Sequence, residues 1–352
     1  MPFLLYGAYG YTGRLITEAA AKAGLSPTLA GRNAPKLRAL AEEYGFPHIA
    51  FDLEDAAALD TALANFPVVL HAAGPFAVTA EPMLEACLRT GTHYLDITGE
   101  IEVFAAAAAR NDRAWEKGIM LMPGVGFDVV PTDCMAAYLQ EQLPEATHLK
   151  LAFAWNKGGI SQGTAKTAVR GLGEPGAVRR NGKIVPVPPA HKVAEFPFTA
   201  EKSKQAVTIP WGDVFTAYHT TGIPNIETYF AAPPGQIKMM KRSRYLGWLL
   251  RRSFVRNFLT KRIEAGAPGP NEERRSAGEA YVYGEVNDAA GKRIAARLRT
   301  PEGYTLTAIT ALMIVQRVLA GDLEAGYRTP ALAYGADLIL EVEGTQRELI
   351  DG

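Results

Sequence analysis

The residues able to do chemistry in this chain fall in short stretches that follow apolar runs. The first stretch is YGAYGYTGR, Tyr6 to Arg14, where Gly7, Gly10 and Gly13 recur at every third residue behind Pro2-Phe3-Leu4-Leu5. A glycine loop that leaves a strand and opens a helix suits a dinucleotide pyrophosphate. Gly7 allows the tight turn, Gly10 a close backbone approach, and Gly13 close packing of helix on sheet. The helix N-terminus adds free N–H groups and the positive end of its dipole. Tyr9, Tyr11 and Thr12 belong to the same loop. The spacing is GxxGxxG rather than GxGxxG, and a purely structural turn is the competing reading.

The second stretch is Gly31-Arg32-Asn33, about twenty residues further on. An NAD site places an acid here, on the ribose 2′-hydroxyl. This chain has no carboxylate there. Arg32 carries a flat cationic fork that suits a 2′-phosphate, so NADP is expected. The alternative is a solvated surface arginine. Asp52, in Phe51-Asp52-Leu53, ends the third expected strand, where a side chain meets the adenine. Capping the run that starts at Glu54 is an equal alternative.

Three further loops end strands four to six. His71-Ala72 leads into Ala73-Gly74-Pro75-Phe76, small residues that let a loop lie close over the cofactor. The next two hold Tyr94, Asp96 and Glu100, then Asp128 and Asp133. In open parallel sheets ligands bind at these carboxyl ends. Reduction by NADPH asks the protein for orientation, charge stabilisation and a proton donor. For an enoyl substrate a donor must stabilise the enolate oxygen, and a proton must reach the α-carbon. Tyr94 and Asp128 are the catalytic candidates by position. Lys166, after the glycine-bearing run that starts at Gly158, is a third. The competing readings are loop braces or helix caps for Asp96, Asp128 and Asp133, a buried histidine for His71 and a surface lysine for Lys166.

Other chemistries find no support. None of the 14 tyrosines has a lysine four residues on, which argues against the short-chain dehydrogenase Tyr-x-x-x-Lys pair. There is no His-Glu-x-x-His, the six histidines are dispersed, and no metal site is expected. There is no Gly-x-Ser-x-Gly elbow. Lys plus Arg and Asp plus Glu balance at 37 each, so no global charge favours nucleic acid. Cys87 and Cys134 form no disulfide framework. The N-terminal run lacks a basic segment and a long apolar core, and no apolar run is long enough to span a bilayer. A soluble cytoplasmic protein is the expectation.

The elements that must position these loops alternate. Strands are expected at Phe3–Tyr6, Pro27–Ala30, His48–Leu53, Val68–Ala73, His93–Ile97 and Ile119–Met122. Helices at Gly13–Lys22, Pro35–Tyr44, Glu81–Arg89 and Glu102–Lys117 separate them. The rhythm predicts an α/β fold with a doubly wound parallel Rossmann sheet. Beyond a helix at Thr132–Gln142 the texture becomes α+β and mainly antiparallel. Strands are expected at Leu149–Trp155, Val214–Thr220 and Glu227–Ala231. Tyr281–Val286 and Arg293–Arg299 form a hairpin. Leu306–Leu319 is an apolar helix that must be buried. The expected division is 1–130 for nucleotide binding, 131–303 for substrate and dimerisation, and 304–352 returning to the first domain. An edge-exposed sheet in the second domain makes a homodimer the expectation.

One segment stands apart. Lys238 to Arg262 contains nine Lys or Arg and no acid, interleaved with Tyr245, Leu246, Trp248, Leu249, Leu250, Phe254, Val255, Phe258 and Leu259. It fits contact with anionic lipid or with a phosphopantetheine or coenzyme A carrier. The competing reading is a helix whose apolar face packs on its own domain.

Taken in order, YGAYGYTGR, the Gly-Arg after strand two, HAAGPF, HYLDITGE and GFDVVPTD resemble the saccharopine dehydrogenase-like oxidoreductases, a group that includes trans-acting enoyl reductases. The resemblance covers about the first 135 residues, with a weaker echo in Gly326–Ala331 and the helix after it. It implies an NADP-type Rossmann domain, an inserted α/β substrate domain and a chain that returns at its C-terminus. It carries no motif onto the middle of the chain, from Asn156 to Glu273. The leading expectation is an NADPH-dependent reductase of a hydrophobic enoyl or carbonyl substrate. The others are a saccharopine-type amino-acid or imine reductase and a non-catalytic NADPH-binding, lipid-associated protein.

Overall fold

The structure, a computed structural model, describes residues 2–157 and 159–350. Gly158, which opens the run towards Lys166, lies outside the described residues. The chain divides into two compact units. One comprises Met1–Val130 with Tyr304–Ala333, the other Pro131–Gly303 with Tyr334–Gly352.

The first unit alternates strand and helix: β1 (Leu4–Tyr6), α1 (Tyr11–Lys22), β2 (Thr28–Gly31), α2 (Ala34–Tyr44), β3 (His48–Ala50), α3 (Ala56–Leu63), β4 (Val68–His71), α4 (Phe76–Thr90), β5 (His93–Asp96), α5 (Ile101–Ala108), α6 (Asn111–Glu116) and β6 (Met120–Met122). A short strand, Gly326–Tyr327, pairs with β6 and completes seven parallel strands. Their order from that edge is Gly326–Tyr327, β6, β5, β4, β1, β2, β3. Leu5 lies between Leu29 of β2 and Leu70 of β4. Leu4, Leu5, Val68, Val69 and Leu70 are fully buried, as an apolar strand covered on both faces requires. The winding direction reverses between β1 and β4, so the carboxyl ends of these two strands flank the switch point where such sheets bind ligands.

Two helices differ from the sequence expectation. The helix expected at Glu81 begins at Phe76, upstream of Pro82, because its first turn is held from outside. Glu100 accepts hydrogen bonds from the backbone N–H groups of Phe76 (3.1 Å) and Ala77 (2.8 Å). The long helix expected over Glu102–Lys117 divides at Arg110 into α5 and α6. There the Arg110 guanidinium turns to Glu85 (2.8 Å) and Glu81 (3.0 Å) on α4.

The helix Gly303–Leu319 is buried along most of its length, and from Tyr304 it belongs to the first unit. The Thr310 hydroxyl donates to the Val125 carbonyl (2.8 Å), and the Thr307 hydroxyl accepts from the Phe127 N–H (3.0 Å). These bonds fix the loop that follows β6.

The second unit is built on a mixed, mostly antiparallel sheet. Its strands run in the order Val193–Pro197, Ser203–Thr208, Asn225–Ala231, His148–Asn156, Glu279–Asn287, Arg293–Pro301 and Gln346–Ile350. Only Asn225–Ala231 and His148–Asn156 pair in parallel along that path. A hairpin of Gly176–Arg180 and Lys183–Val187 joins at Ile226. Phe196, Phe198, Tyr229 and Tyr283 form an aromatic core. Val214–Thr220, expected as a strand, lies in the helix Asp213–Thr221. Its β-branched and aromatic residues favour strand locally. Val214 and Ala217, three residues apart, instead bury one helical face, and Gly222 closes the helix at φ 73°. Residues 334–352, expected with the first domain, belong to the second unit. Gln346–Ile350 is an edge strand there, and Arg297 and Glu348 pair across it at 2.6 Å. Among the described residues no helix is long and apolar enough to cross a membrane.

Candidate functional site

The turn after β1 is built by close backbone contact. Gly7 has φ 88°, and its N–H donates to the Ala30 carbonyl at 2.8 Å. A Cβ on Gly7 would lie 2.7 Å from the Ala73 nitrogen, so the β1 and β4 loops touch at the switch point. A Cβ on Gly13 would lie 2.2 Å from the Gly7 carbonyl oxygen, so α1 can meet the loop this closely only without a side chain. Gly10, where a Cβ would approach the same oxygen at 3.2 Å, is the N-cap of α1 and donates to it at 2.9 Å.

The N-terminus of α1 differs from those of its neighbours. Asn33 caps α2 through Lys36 N–H (3.0 Å), Asp55 caps α3 through Ala58 N–H (3.0 Å), and Glu100 caps α4. No side chain caps α1, and its first turn holds no acid. The N–H groups of the first turn of α1, Thr12 and Gly13 among them, therefore form an electropositive cradle beside the glycine turn. Tyr11 also packs edge-on against Tyr304 at 4.9 Å.

The edge next to β2 collects the other expected binding residues. The Tyr9 ring lies over Gly31, where a Cβ would come within 2.7 Å of it, and Lys36 Nζ sits 5.9 Å from the ring centre. Arg32 is exposed, and among the described residues no hydrogen bond or ion pair engages it. Asn33 is occupied as the α2 cap. Asp52 is exposed and accepts from Glu54 N–H at 3.2 Å, while Asp55 rather than Asp52 caps the following helix. Burial pushes the Tyr6 hydroxyl well above its ordinary value; Asp52 and Tyr9 add to the shift and Arg32 opposes it. All three thus lie within electrostatic reach of one hydroxyl. On the other side of the switch point, Ala73, Gly74, Pro75 and Phe76 form the expected loop. Thr79 holds it by donating to the Ala73 carbonyl at 2.7 Å, and Gly74 is exposed at its tip.

The catalytic candidates fare differently. Tyr94 is fully buried, and its hydroxyl donates to Asp96 Oδ2 at 2.5 Å. In this position its hydroxyl braces Asp96. The two side chains meet because residues two apart on a strand share a face. Asp96 also accepts from Thr98 N–H and Gly124 N–H, both at 2.9 Å, and so ties the β5 and β6 loops together. Burial pushes its carboxyl up to about 7 against the pull of these bonds. Asp133 lies in the second unit, buried, accepting from Thr220 at 2.5 Å. Lys166 also belongs to that unit and pairs with Glu264 at 2.7 Å, so its charge is already engaged. His71 is buried beside Phe76 and Tyr94, its Nε2 3.0 Å from the Thr79 hydroxyl, and burial pushes it down to about 3. It is neutral at ordinary pH.

Asp128 keeps its candidacy. It is half-buried with its carboxylate against Gly99, where a Cβ would come within 2.9 Å of Oδ2. Burial, with the nearby Glu100 charge, pushes its carboxyl up to about 7. Such a group exchanges protons near neutrality. Among the described residues no group of three or more His, Cys, Asp and Glu could hold a metal.

Two contributions carried no sequence signal. Glu100 caps a helix more than twenty residues upstream, and Thr307 and Thr310 brace a loop some 180 residues away. Removing the first should be measurable. Glu100→Ala strips both acceptors from the first turn of α4 and should cost about 1–2 kcal/mol. A thermal melt compared with wild type checks this, and an unchanged midpoint would show that water caps α4 equally well.

Residues 3–122 match the family model of the saccharopine dehydrogenase NADP binding domain. The chain is 29% identical over 202 residues to the saccharopine dehydrogenase-like oxidoreductase of Mus musculus, covering 50% of this chain and 47% of that one. It is 32% identical over 139 residues to the trans-acting enoyl reductase of Mycobacterium bovis, covering 37% of this chain and 33% of that one. It therefore spans about half the length of the mouse relative and a third of the mycobacterial one. Apo saccharopine dehydrogenase (L-Glu forming) from Saccharomyces cerevisiae shares the fold, with a TM-score of 0.68 over 99% of this chain and 100% of that one at 14% identity.

Proposed function

We propose that the chain, whose residues 3–122 match the model of the saccharopine dehydrogenase NADP binding domain, is an NADP(H)-dependent oxidoreductase that reduces a hydrophobic enoyl or carbonyl substrate. The observation that carries this is the uncapped N-terminus of α1, set against a glycine turn that has no room for a Cβ at Gly7 or Gly13. These are the features a pyrophosphate needs: free N–H donors, a positive dipole end and close backbone approach. The unpartnered Arg32 fits the 2′-phosphate, Tyr9 and Asp52 border the adenosine side, and Ala73 to Phe76 close over the nicotinamide side.

Held by these residues, NADPH would supply the hydride, to the β-carbon of an enoyl group or to a carbonyl carbon. Asp128 supplies the proton in this reading, delivering it to the α-carbon or the carbonyl oxygen. Asp96 and Tyr94 act one step removed, by holding the β5 and β6 loops that present Asp128. The name of the mycobacterial relative supports the enoyl version. Mixing the protein with NADPH and a panel of trans-2-enoyl thioesters tests it through loss of nicotinamide absorbance. Tight NADPH binding with no oxidation by any thioester would sink the enoyl version.

The proton-donor role has a pH signature. A carboxyl raised to about 7 is protonated below that pH and ionised above it. The rate of reduction should therefore be flat in mild acid and fall as pH rises through 7. Asp128→Asn should lower the rate by about 100-fold or more and remove this limb. Stability moves with the same proton. The folded pKa lies above the unfolded one, so the favourable contribution is complete below the unfolded value and is lost as pH rises through about 7. Asp128→Asn should therefore raise the melting temperature more at pH 8 than at pH 4. A variant that keeps the wild-type rate and limb would remove Asp128 from the reaction.

A further inference from the structure

The basic segment left open by the sequence folds as two successive helices, Pro234–Leu250 and Ser253–Glu264. Their inner side is tied to their own unit. Ile237 is buried, Gly247 packs on Gly173, Arg244 donates to the Pro189 and Ala190 carbonyls, and Arg256 pairs with Glu174 at 2.7 Å. The aromatic rings do not share this inner side, contrary to the reading that packs them on the domain. Tyr245 is 81% exposed, Trp248 65%, Phe254 66% and Phe258 61%, with Met239 and Leu246 exposed beside them.

The cations point the same way. Lys238 lies three and four residues before Lys241 and Arg242, and Tyr245 four and three after them, which places all four on one face of the first helix. On the second, Phe258 lies four residues after Phe254 and three and four before Lys261 and Arg262, so these four share a face as well. Among the described residues Lys238, Lys241, Arg242, Arg252, Lys261 and Arg262 have no side-chain hydrogen bond or ion pair. The outer face thus mixes bare rings with unneutralised charge, and no acid lies between 238 and 262.

We propose that this face seats the protein on an anionic phospholipid bilayer. Aromatic rings enter the headgroup boundary while Lys and Arg beside them meet lipid phosphate, and one surface satisfies both. A second copy of the chain fits poorly, because a two-fold contact would bring the same unpaired cations together. A nucleic acid would use the charges but leave Met239 and Leu246 in water. The proposal is independent of the reductase reading, since vesicle binding is measured without NADPH.

Flotation of the full chain with vesicles tests it. Binding is expected to phosphatidylcholine vesicles that contain phosphatidylglycerol, and at least about tenfold less to phosphatidylcholine alone. The double variant Lys241→Glu, Arg242→Glu should weaken anionic-vesicle binding by about 20-fold or more. Trp248→Ala with Phe254→Ala should weaken it at every lipid composition. All four positions are exposed, so melting temperature and NADPH binding should stay at wild type and serve as folding controls. No binding to anionic vesicles by folded protein would overturn the proposal. So would binding that these variants leave unchanged, or capture by an acidic acyl-carrier protein with no capture by vesicles. A dimer in solution that Tyr245→Glu dissociates would overturn it as well.

Discussion

Gly13→Ala is expected to abolish tight NADPH binding. The added methyl would sit 2.2 Å from the Gly7 carbonyl oxygen and 2.7 Å from that of Ala8, and both are backbone atoms of a turn whose N–H groups are tied to the Ala30 carbonyl. Neither can move aside as a side-chain tip can. The helix must therefore back away from β1, taking the N–H groups of Tyr11 and Thr12 with it. Overpacking of this kind costs about 1–3 kcal/mol of stability. The loss in affinity should be larger than that cost suggests, because α1 presents its whole open N-terminus as one rigid piece. Losing alignment of that cradle by even part of a hydrogen-bond length should weaken NADPH by about 100-fold, equivalent to about 2.7 kcal/mol. Gly24→Ala is the control. Gly24, unlike the helical Gly13, has a positive φ, 69°, and nothing lies within 4 Å of its added Cβ. It should lose about 1 kcal/mol of stability through backbone strain and bind NADPH as wild type does. Calorimetric titration with NADPH separates the two variants. Gly13→Ala protein that binds within about threefold of wild type would show that phosphate is not held at α1.

The contrast between these glycines also shows where sequence reading works. YGAYGYTGR identified its loop because each glycine serves a local need, a turn, an approach or a packing contact, and local needs leave local spacing. Val68–His71 was legible for a similar reason: a strand buried on both faces must be apolar throughout. The depth of Tyr94 was not legible, because a place near a strand end says nothing of burial. The signal was there in Asp96, two residues on and hence on the same face. Glu100 could not have been read, since its partners Phe76 and Ala77 are brought to it only by the parallel pairing of β4 with β5. The helix Asp213–Thr221 failed for a different reason. Its β-branched residues prefer strand by a margin small enough for packing of Val214 and Ala217 to override. The Lys238–Arg262 segment was legible in composition but not in orientation. Whether its rings face in or out depends on which neighbours claim the inner side, and here Ile237 and Gly247 do.

Arg32→Ala is expected to separate NADPH from NADH. Arg32 lies beyond β2, where a dinucleotide site meets the adenosine ribose, exposed and with no partner among the described residues. An unpaired guanidinium gives up only hydration water when an anion arrives, so its attraction for a 2′-phosphate is not offset by a broken ion pair. Charge-assisted hydrogen bonds of this kind contribute about 1.5–3 kcal/mol, and exposure holds the value towards the lower end. NADPH should therefore weaken by about 10- to 100-fold, while NADH, which lacks the phosphate, should change by less than about twofold. Raising the salt concentration should shrink the wild-type preference and leave the variant indifferent, since screening acts only on the charge pair. Arg32→Asp should go further and favour NADH, because the new carboxylate repels the 2′-phosphate and accepts from the ribose 2′-hydroxyl. Asn33 should remain in place through both changes, since its side chain is committed to the Lys36 N–H. Equal loss of both nucleotides on Arg32→Ala would instead mean that the arginine supports the adenosine side of the site as a whole, and the phosphate reading would fall.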